Sequence, residues 1–138
     1  MSTLGEVRLQ PYLTSLCESL GASMISDHTQ ITLQVHADES MSSADTSVSL
    51  GLMVTELVIN ALKHAFPGHR AGSINVFYSA AGAGWTLSVI DDGVGVPKDP
   101  DAKPGLGTSI IEALARQFGA VVKIDDARPG TAVSISRA

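Results

Sequence analysis

The chain has 138 residues, 44% of them hydrophobic and 17% charged, with a single cysteine. That length buries one sizeable core, and no internal linker is long enough to separate two, so residues 1–138 read as one domain. A net charge of −5 argues against nonspecific binding to nucleic acid or to an anionic membrane as the main function.

In chain order, Met1 to Glu6 lacks the layout of a signal peptide, and no apolar run is expected to span a bilayer. Leu13, Leu16, Cys17, Leu20 and Met24 recur at helical spacing after Pro11, which predicts a first helix from Pro11 to Ala22. Cys17 fits there as a small core residue; a lone thiol excludes an intramolecular disulfide and suits the reducing cytoplasm. Ile31 to Val35 alternates as a strand, and Asp45 or Thr46 can cap a long helix that Pro67-Gly68 follows.

That long helix is nearly all apolar from Val48 to Leu62, with Glu56 its only charge. A helix apolar almost all round is expected to be buried, and a buried carboxylate then needs compensation. At about 100° per residue, Asn60, Lys63 and His64 fall near the face of Glu56, while Leu50, Val54, Leu57, Val58, Ala61, Leu62 and Ala65 cover the other side. A carboxylate beside an amide oxygen suits a hard cation that keeps most of its bonds to water and phosphate, which describes magnesium held with a nucleotide. A plain core helix with its polar groups satisfied by backbone or buried water has the same residues.

Ser73 to Tyr78 and Trp85 to Ile90 read as antiparallel neighbours across the Ala80 to Gly84 turn. The second runs into Asp91-Asp92-Gly93-Val94-Gly95. There Asp91 can accept from an adenine amino group, and Gly93 and Gly95 can let a flat ligand approach bare backbone, although an ordinary turn carries the same Asp-Gly pair. Val96 to Pro104, with three prolines and four charges, is expected to be mobile without nucleotide. Gly105-Leu106-Gly107-Thr108-Ser109 opens the amphipathic run Ile110 to Phe118, which stops at Gly119. Backbone amides at that opening offer a phosphate site, or a loop-to-helix turn capped by Thr108 or Ser109. Val121 to Ile124 and Thr131 to Ile135, joined at Asp125 to Gly130, end the pattern. The predicted fold class is α+β: three helices on one face of a mixed, mainly antiparallel sheet, with nucleotide between the layers.

In this order the segments resemble the Bergerat-type ATPase superfamily of DNA gyrase, heat-shock chaperones, mismatch-repair ATPases and sensor histidine kinases, over about residues 10 to 137. Glu56-x-x-x-Asn60-Ala61 is similar to its N box, Asp91-x-Gly93-x-Gly95 to its adenine box and Gly105-x-Gly107 to its second glycine box. Glu56-Leu57-x-x-Asn60-Ala61-x-Lys63-His64-Ala65-Phe66-Pro67, with a lid of only nine residues that lacks Phe, resembles the histidine kinases related to the HWE group. The chain departs from that group where Leu87, not Glu, follows Trp85 by two residues.

The resemblance implies an ATP·Mg²⁺-binding catalytic domain that transfers the γ-phosphoryl group to a histidine of a dimerisation and phosphoacceptor domain, and thence to a response-regulator receiver. Asn60 would hold magnesium; Asp91, with Thr131 through water, would select adenine. Gly93, Gly95, Gly105, Leu106, Gly107 and Thr108 would line the nucleotide, Lys63 or His64 would offset phosphate charge, and Glu56 would orient the nucleophile or act as base. Lys98 and Lys103 are further local cations. His28, His36 and His69 read as solvated surface groups and His64 as part of the N box, so none suits a phosphoacceptor. The isolated domain is expected to be a cytoplasmic monomer without nucleic-acid or membrane contact. Two alternatives stay open: an anti-sigma-type serine kinase, and a noncatalytic nucleotide-binding or phosphotransfer module.

Overall fold

Alternating apolar residues set the central layer. In the computed structural model, which describes residues 6–25, 30–66, 71–82, 84–94 and 106–137 (backbone only for 106–109), Ile74, Val76 and Tyr78 point inward from β4 (Gly72–Ala81). Trp85, Leu87 and Val89 do the same from β5 (Gly84–Asp91). These strands pair antiparallel from Ile74↔Asp91 to Ala81↔Gly84, so their turn is tighter than the sequence predicts. Around them a five-stranded sheet runs in the order β2-β4-β5-β7-β6. The edge strands are β2 (Ile31–Ala37) and β6 (Val121–Asp126), and β7 (Thr131–Arg137) lies between β5 and β6. Only β2 pairs in parallel, with β4, so the sheet is mixed and mainly antiparallel as expected. The face opposite those inward side chains is mixed, with Ser88 and Ser134 hydroxyls 3.0 Å apart across β5 and β7 and Phe77 and Val121 exposed among polar neighbours.

Three helices among the described residues cover the other face: α1 (Leu9–Met24), α2 (Ala44–His64) and α3 (Leu106–Phe118). Helix α1 begins two residues earlier than predicted, because a proline is tolerated in the first turn, where its missing N–H would lack a helical partner anyway. The α1 start is tied to the loop before α2 by Leu9 N–H donating to Ser40 O at 3.1 Å. Nothing in the sequence pattern announced the small antiparallel pair of β1 (Glu6–Arg8) and β3 (Met41–Ser43), three residues each and half exposed. That pair decides where α2 starts. Ser43 leaves β3 in an extended conformation and its Oγ accepts from Thr46 N–H at 3.1 Å, so Ser43 is the cap, in place of Asp45 or Thr46. Asp45 instead lies in the first turn, beside the positive end of the helix dipole.

Helix α2 lies over the middle of the sheet and contributes Leu50, Met53, Val54, Leu57, Val58 and Ala61 to the core. By length and composition it is apolar enough to cross a bilayer, contrary to the sequence expectation; here those residues pack against sheet and helices. Helix α3 adds Ile111 and Ala115. It closes with Gly119 N–H on Arg116 O at 3.1 Å and Ala120 N–H on Ala115 O at 2.8 Å, the paired bonds of a Schellman motif, where the sequence placed the stop.

The two sides of α2 differ enough to be told apart by truncation. Leu50 is fully buried, and Leu50→Ala should cost about 2–5 kcal/mol in chemical denaturation. Leu52 is 48% exposed, and Leu52→Ala should change stability by no more than about 0.5 kcal/mol.

Candidate nucleotide site

The polar side of α2 is wetter than its composition suggests. Val48 and Leu52 are 56% and 48% exposed, and Glu56 and Asn60 on the following turns are half-buried. Glu56 therefore does not sit in a dry interior and needs no buried counter-charge; the helix is covered by the sheet and its flanking helices but open on its outer side. This corrects the expectation of a compensated, fully buried carboxylate. Lys63 and His64 close the last turn, both exposed, where cations favour the negative end of the dipole.

Asp91, the last residue of β5, is a different environment. It is only 7% exposed, and its Oδ1 accepts two backbone donors, Gly93 N–H at 2.9 Å and Thr131 N–H at 3.3 Å. Both donors meet the same oxygen, and among the described residues no group donates to Oδ2. Burial pushes the Asp91 carboxyl above its ordinary value of 3.8; the two amides oppose that shift, and neighbouring Asp92 adds to it. The carboxylate is thus half-satisfied, with one acceptor oxygen kept for a donor not supplied by the described chain.

The loop beyond Asp91 is packed against two other elements. Val94 N–H donates to Ala65 O at 2.9 Å, fastening the loop to the end of α2. A Cβ on Gly93 would overlap the Ala65 backbone, so the missing side chain admits α2 as well as leaving the loop bare. On the far side a Cβ on Gly130 would overlap the Asp91 carbonyl, which is how the start of β7 comes close enough for Thr131 to reach the carboxylate. The structure therefore joins Asp91, Gly93 and Thr131 directly, and brings the Lys63-His64 end of α2 to the same loop through Ala65. Ala65 and Ser73, which is hydrogen-bonded to the Asp92 carboxylate, were not legible from motif spacing; a backbone carbonyl has no side-chain signature.

Gly107 and Thr108 lie within the first turn of α3, which starts at Leu106, earlier than the amphipathic run implied. The amides of a first turn have no helical partner and suit phosphate. Gly95, Gly105, Lys98, Lys103 and the Val96 to Pro104 lid lie outside the described residues, as do His28, His69 and Pro67-Gly68. His36 is exposed on β2, stacked on Phe77 with ring centroids 4.8 Å apart and its Nε2 2.9 Å from Asn75 Oδ1.

Against this geometry, residues 45–137 match the family model described as histidine kinase-, DNA gyrase B- and HSP90-like ATPase. The chain belongs to that family. It is 33% identical over 108 residues to blue-light-activated histidine kinase 2 of Erythrobacter litoralis, an alignment that covers 76% of this chain but 31% of the relative. The solved histidine kinase domain of a blue-light-activated kinase from the same organism superposes with a TM-score of 0.83 at 29% identity, over 94% of this chain and 60% of that one. A mycobacterial sensor histidine kinase shares the fold, with a TM-score of 0.70 at 22% identity over 95% of this chain and 94% of that one. The chain is thus an ATPase domain of the type found in histidine kinases, spanning about a third of the curated relative it matches. These relatives leave the serine-kinase alternative without support.

The residues present fit ATP. The Asp91 oxygen that takes no donor among the described residues is an acceptor matched to an exocyclic amine. They also fit magnesium in kind: Glu56 and Asn60, one turn apart on the half-buried side of α2, carry oxygens of the type that a cation held mainly by water and triphosphate would accept.

The Asp91 environment has a consequence for stability. Its raised pKa means that its stabilising contribution is present below the ordinary carboxylate value and is lost as pH rises through the folded value, so the ionised group strains the nucleotide-free fold at neutral pH. Asp91→Asn keeps an acceptor for the Gly93 and Thr131 amides and should raise the thermal midpoint at pH 7, with the gain shrinking as pH falls toward 4. In calorimetry the same variant should bind ATP about tenfold or more weakly, because a charge-assisted hydrogen bond is lost.

Proposed function

We propose that this chain delivers the γ-phosphoryl group of ATP to a histidine on a helical dimerisation domain, of the same or another chain, from which a response-regulator receiver aspartate takes it. The half-satisfied carboxylate of Asp91, buried at a strand end and fastened to the α2 terminus, is the observation that carries the reading. It would supply adenine recognition, and Glu56, Asn60, Lys63 and His64 on the outer side of α2 would serve the phosphate end of the nucleotide. The names of the relatives support the kinase assignment.

Phosphoryl transfer asks a protein mainly for positioning and charge neutralisation. Asp91 accepts from the adenine amine, and Thr131 contributes through water. Gly93 and Gly95 keep the adenine loop bare, while Gly105, Leu106, Gly107 and Thr108 present α3 amides to the phosphates. Asn60 is the side chain that would hold magnesium, which when bound neutralises triphosphate charge. Lys63 and His64 offset what remains. As the γ-phosphorus leaves the bridging oxygen of ADP for the acceptor imidazole nitrogen, Glu56 orients that ring and takes its proton. The half-exposed setting of Glu56 suits this task, because an incoming side chain can reach it. None of the chain's own His36, His64, His28 or His69 is assigned as acceptor. The isolated domain is then a monomer of the cytoplasm, where ATP and receiver proteins meet.

Incubated alone with radiolabelled ATP, the chain should acquire no acid-labile phosphate; with a supplied dimerisation domain bearing an acceptor histidine, it should label that domain. Label on one of its own histidines, or on a partner serine, would contradict the proposal. Asn60→Ala should abolish transfer with loss of metal-dependent ATP binding. Glu56→Gln should leave ATP affinity within about twofold and slow transfer about 10²- to 10⁴-fold.

A further inference from the structure

Strand β5 ends at Asp91 by a side-chain substitution. In an antiparallel sheet, residues of a hydrogen-bonded pair exchange two backbone bonds. Continuing the β4–β5 register beyond Ile74↔Asp91 places Asp92 opposite Ser73. The first bond of that pair is present, Asp92 N–H to Ser73 O at 3.2 Å. The return bond is not made to the Asp92 carbonyl. Ser73 N–H donates to the Asp92 carboxylate Oδ1 at 2.7 Å, and Ser73 Oγ donates to Oδ2 at 3.1 Å.

The side chain of Asp92 has taken the place of its own main-chain carbonyl. That releases the Asp92 peptide from the sheet, so the chain can turn toward α2, where Gly93 lies against Ala65 and Val94 N–H finds Ala65 O. It also fixes the residue before the turn. Asp91 is held by its own Oδ1 bonds to Gly93 and Thr131, both of which depend on where the chain leaves β5. Were the ladder to continue by one ordinary pair, Gly93 N–H would move off Oδ1 and the carboxylate would lose the donor that sets its orientation.

We infer that Asp92, through Ser73, is a positioning residue for adenine recognition: it terminates β5 so that the Asp91 carboxylate presents its unused oxygen at a fixed place. The inference rests on the reading that Asp91 accepts from the adenine amine, and its test separates the two. Binding of Mg·ATP and of Mg·purine riboside triphosphate, which lacks only the 6-amino group, is measured by calorimetry on this chain and its variants. Their affinity ratio isolates the contact to the amine, because general loss of fold would weaken both ligands together.

Wild type should prefer ATP about tenfold or more, the value of one hydrogen bond to a charged acceptor. Asp92→Ala should bring the ratio close to one while leaving affinity for the purine analogue within about threefold. Asp92→Asn should restore the preference, since its amide oxygen can still accept from Ser73 N–H and its NH₂ can donate to Ser73 Oγ. Should Asp92→Ala not fold, Asp92→Glu gives the same reading, because its longer side chain keeps the charge but misplaces the acceptor. A full ATP preference in folded Asp92→Ala or Asp92→Glu overturns the positioning role. Equal binding of both ligands by wild type overturns the Asp91 reading itself and this inference with it.

Discussion

A buried carboxylate that takes both of its donors among the described residues on one oxygen is the constraint around which the site is organised. The interior disfavours the charge of Asp91, and two backbone amides recover only part of what water supplied. Those amides come from different elements, one from the loop that follows β5 and one from the start of β7. Holding them on a single oxygen requires the loop, β7 and the end of α2 to converge within hydrogen-bond distance. That convergence is what the core achieves: Leu57, Val58 and Ala61 press α2 onto the layer formed by Ile74, Val76, Leu87 and Val89, bringing Ala65 to the loop. On the proposed reading, the Asp91 oxygen without a donor among the described residues would be the acceptor held ready for a nucleotide, at the expense of stability.

Helix α2 carries the second half of the argument, and its asymmetry explains how one helix serves both core and chemistry. Its inward residues are among the most deeply buried of the chain, while its outer side opens from Val48 through Glu56 and Asn60 to Lys63. A reactive group on that side stays accessible to a second macromolecule, and its backbone is rigid because the opposite side is packed. Asp91 and Glu56 divide the two demands accordingly. One is buried, where the proposed reading has it select the base; the other is half-exposed, where on the same reading it would meet an acceptor.

Much of this was legible in the sequence because periodicity and punctuation are local. The alternation of Trp85 to Ile90, the helical spacing of Leu13 to Met24 and the stop at Gly119 reappear in the structure, with strand ends displaced by one to three residues where pairing extended them. What escaped was set by contacts between distant segments. Ser43 caps α2 because β3 pairs with β1, and no propensity of Ser43 distinguishes it from Asp45 or Thr46. Glu56 was expected to be buried because an apolar helix is usually covered on all sides, yet nothing in the composition says that Val48 and Leu52 stay uncovered. Gly93 was read for the room it leaves a ligand, whereas part of that room belongs to Ala65. The role of Asp92 depends on its register against Ser73, nineteen residues away.

The central claim is that the free oxygen of Asp91 receives the adenine amine. A crystal structure of this chain with magnesium and a nonhydrolysable ATP analogue tests it most directly. The account predicts the amine nitrogen within about 2.7–3.2 Å of Asp91 Oδ2, with the Gly93 and Thr131 amides still on Oδ1. An adenine ring bound away from Asp91, or held with its amine directed elsewhere, would contradict it.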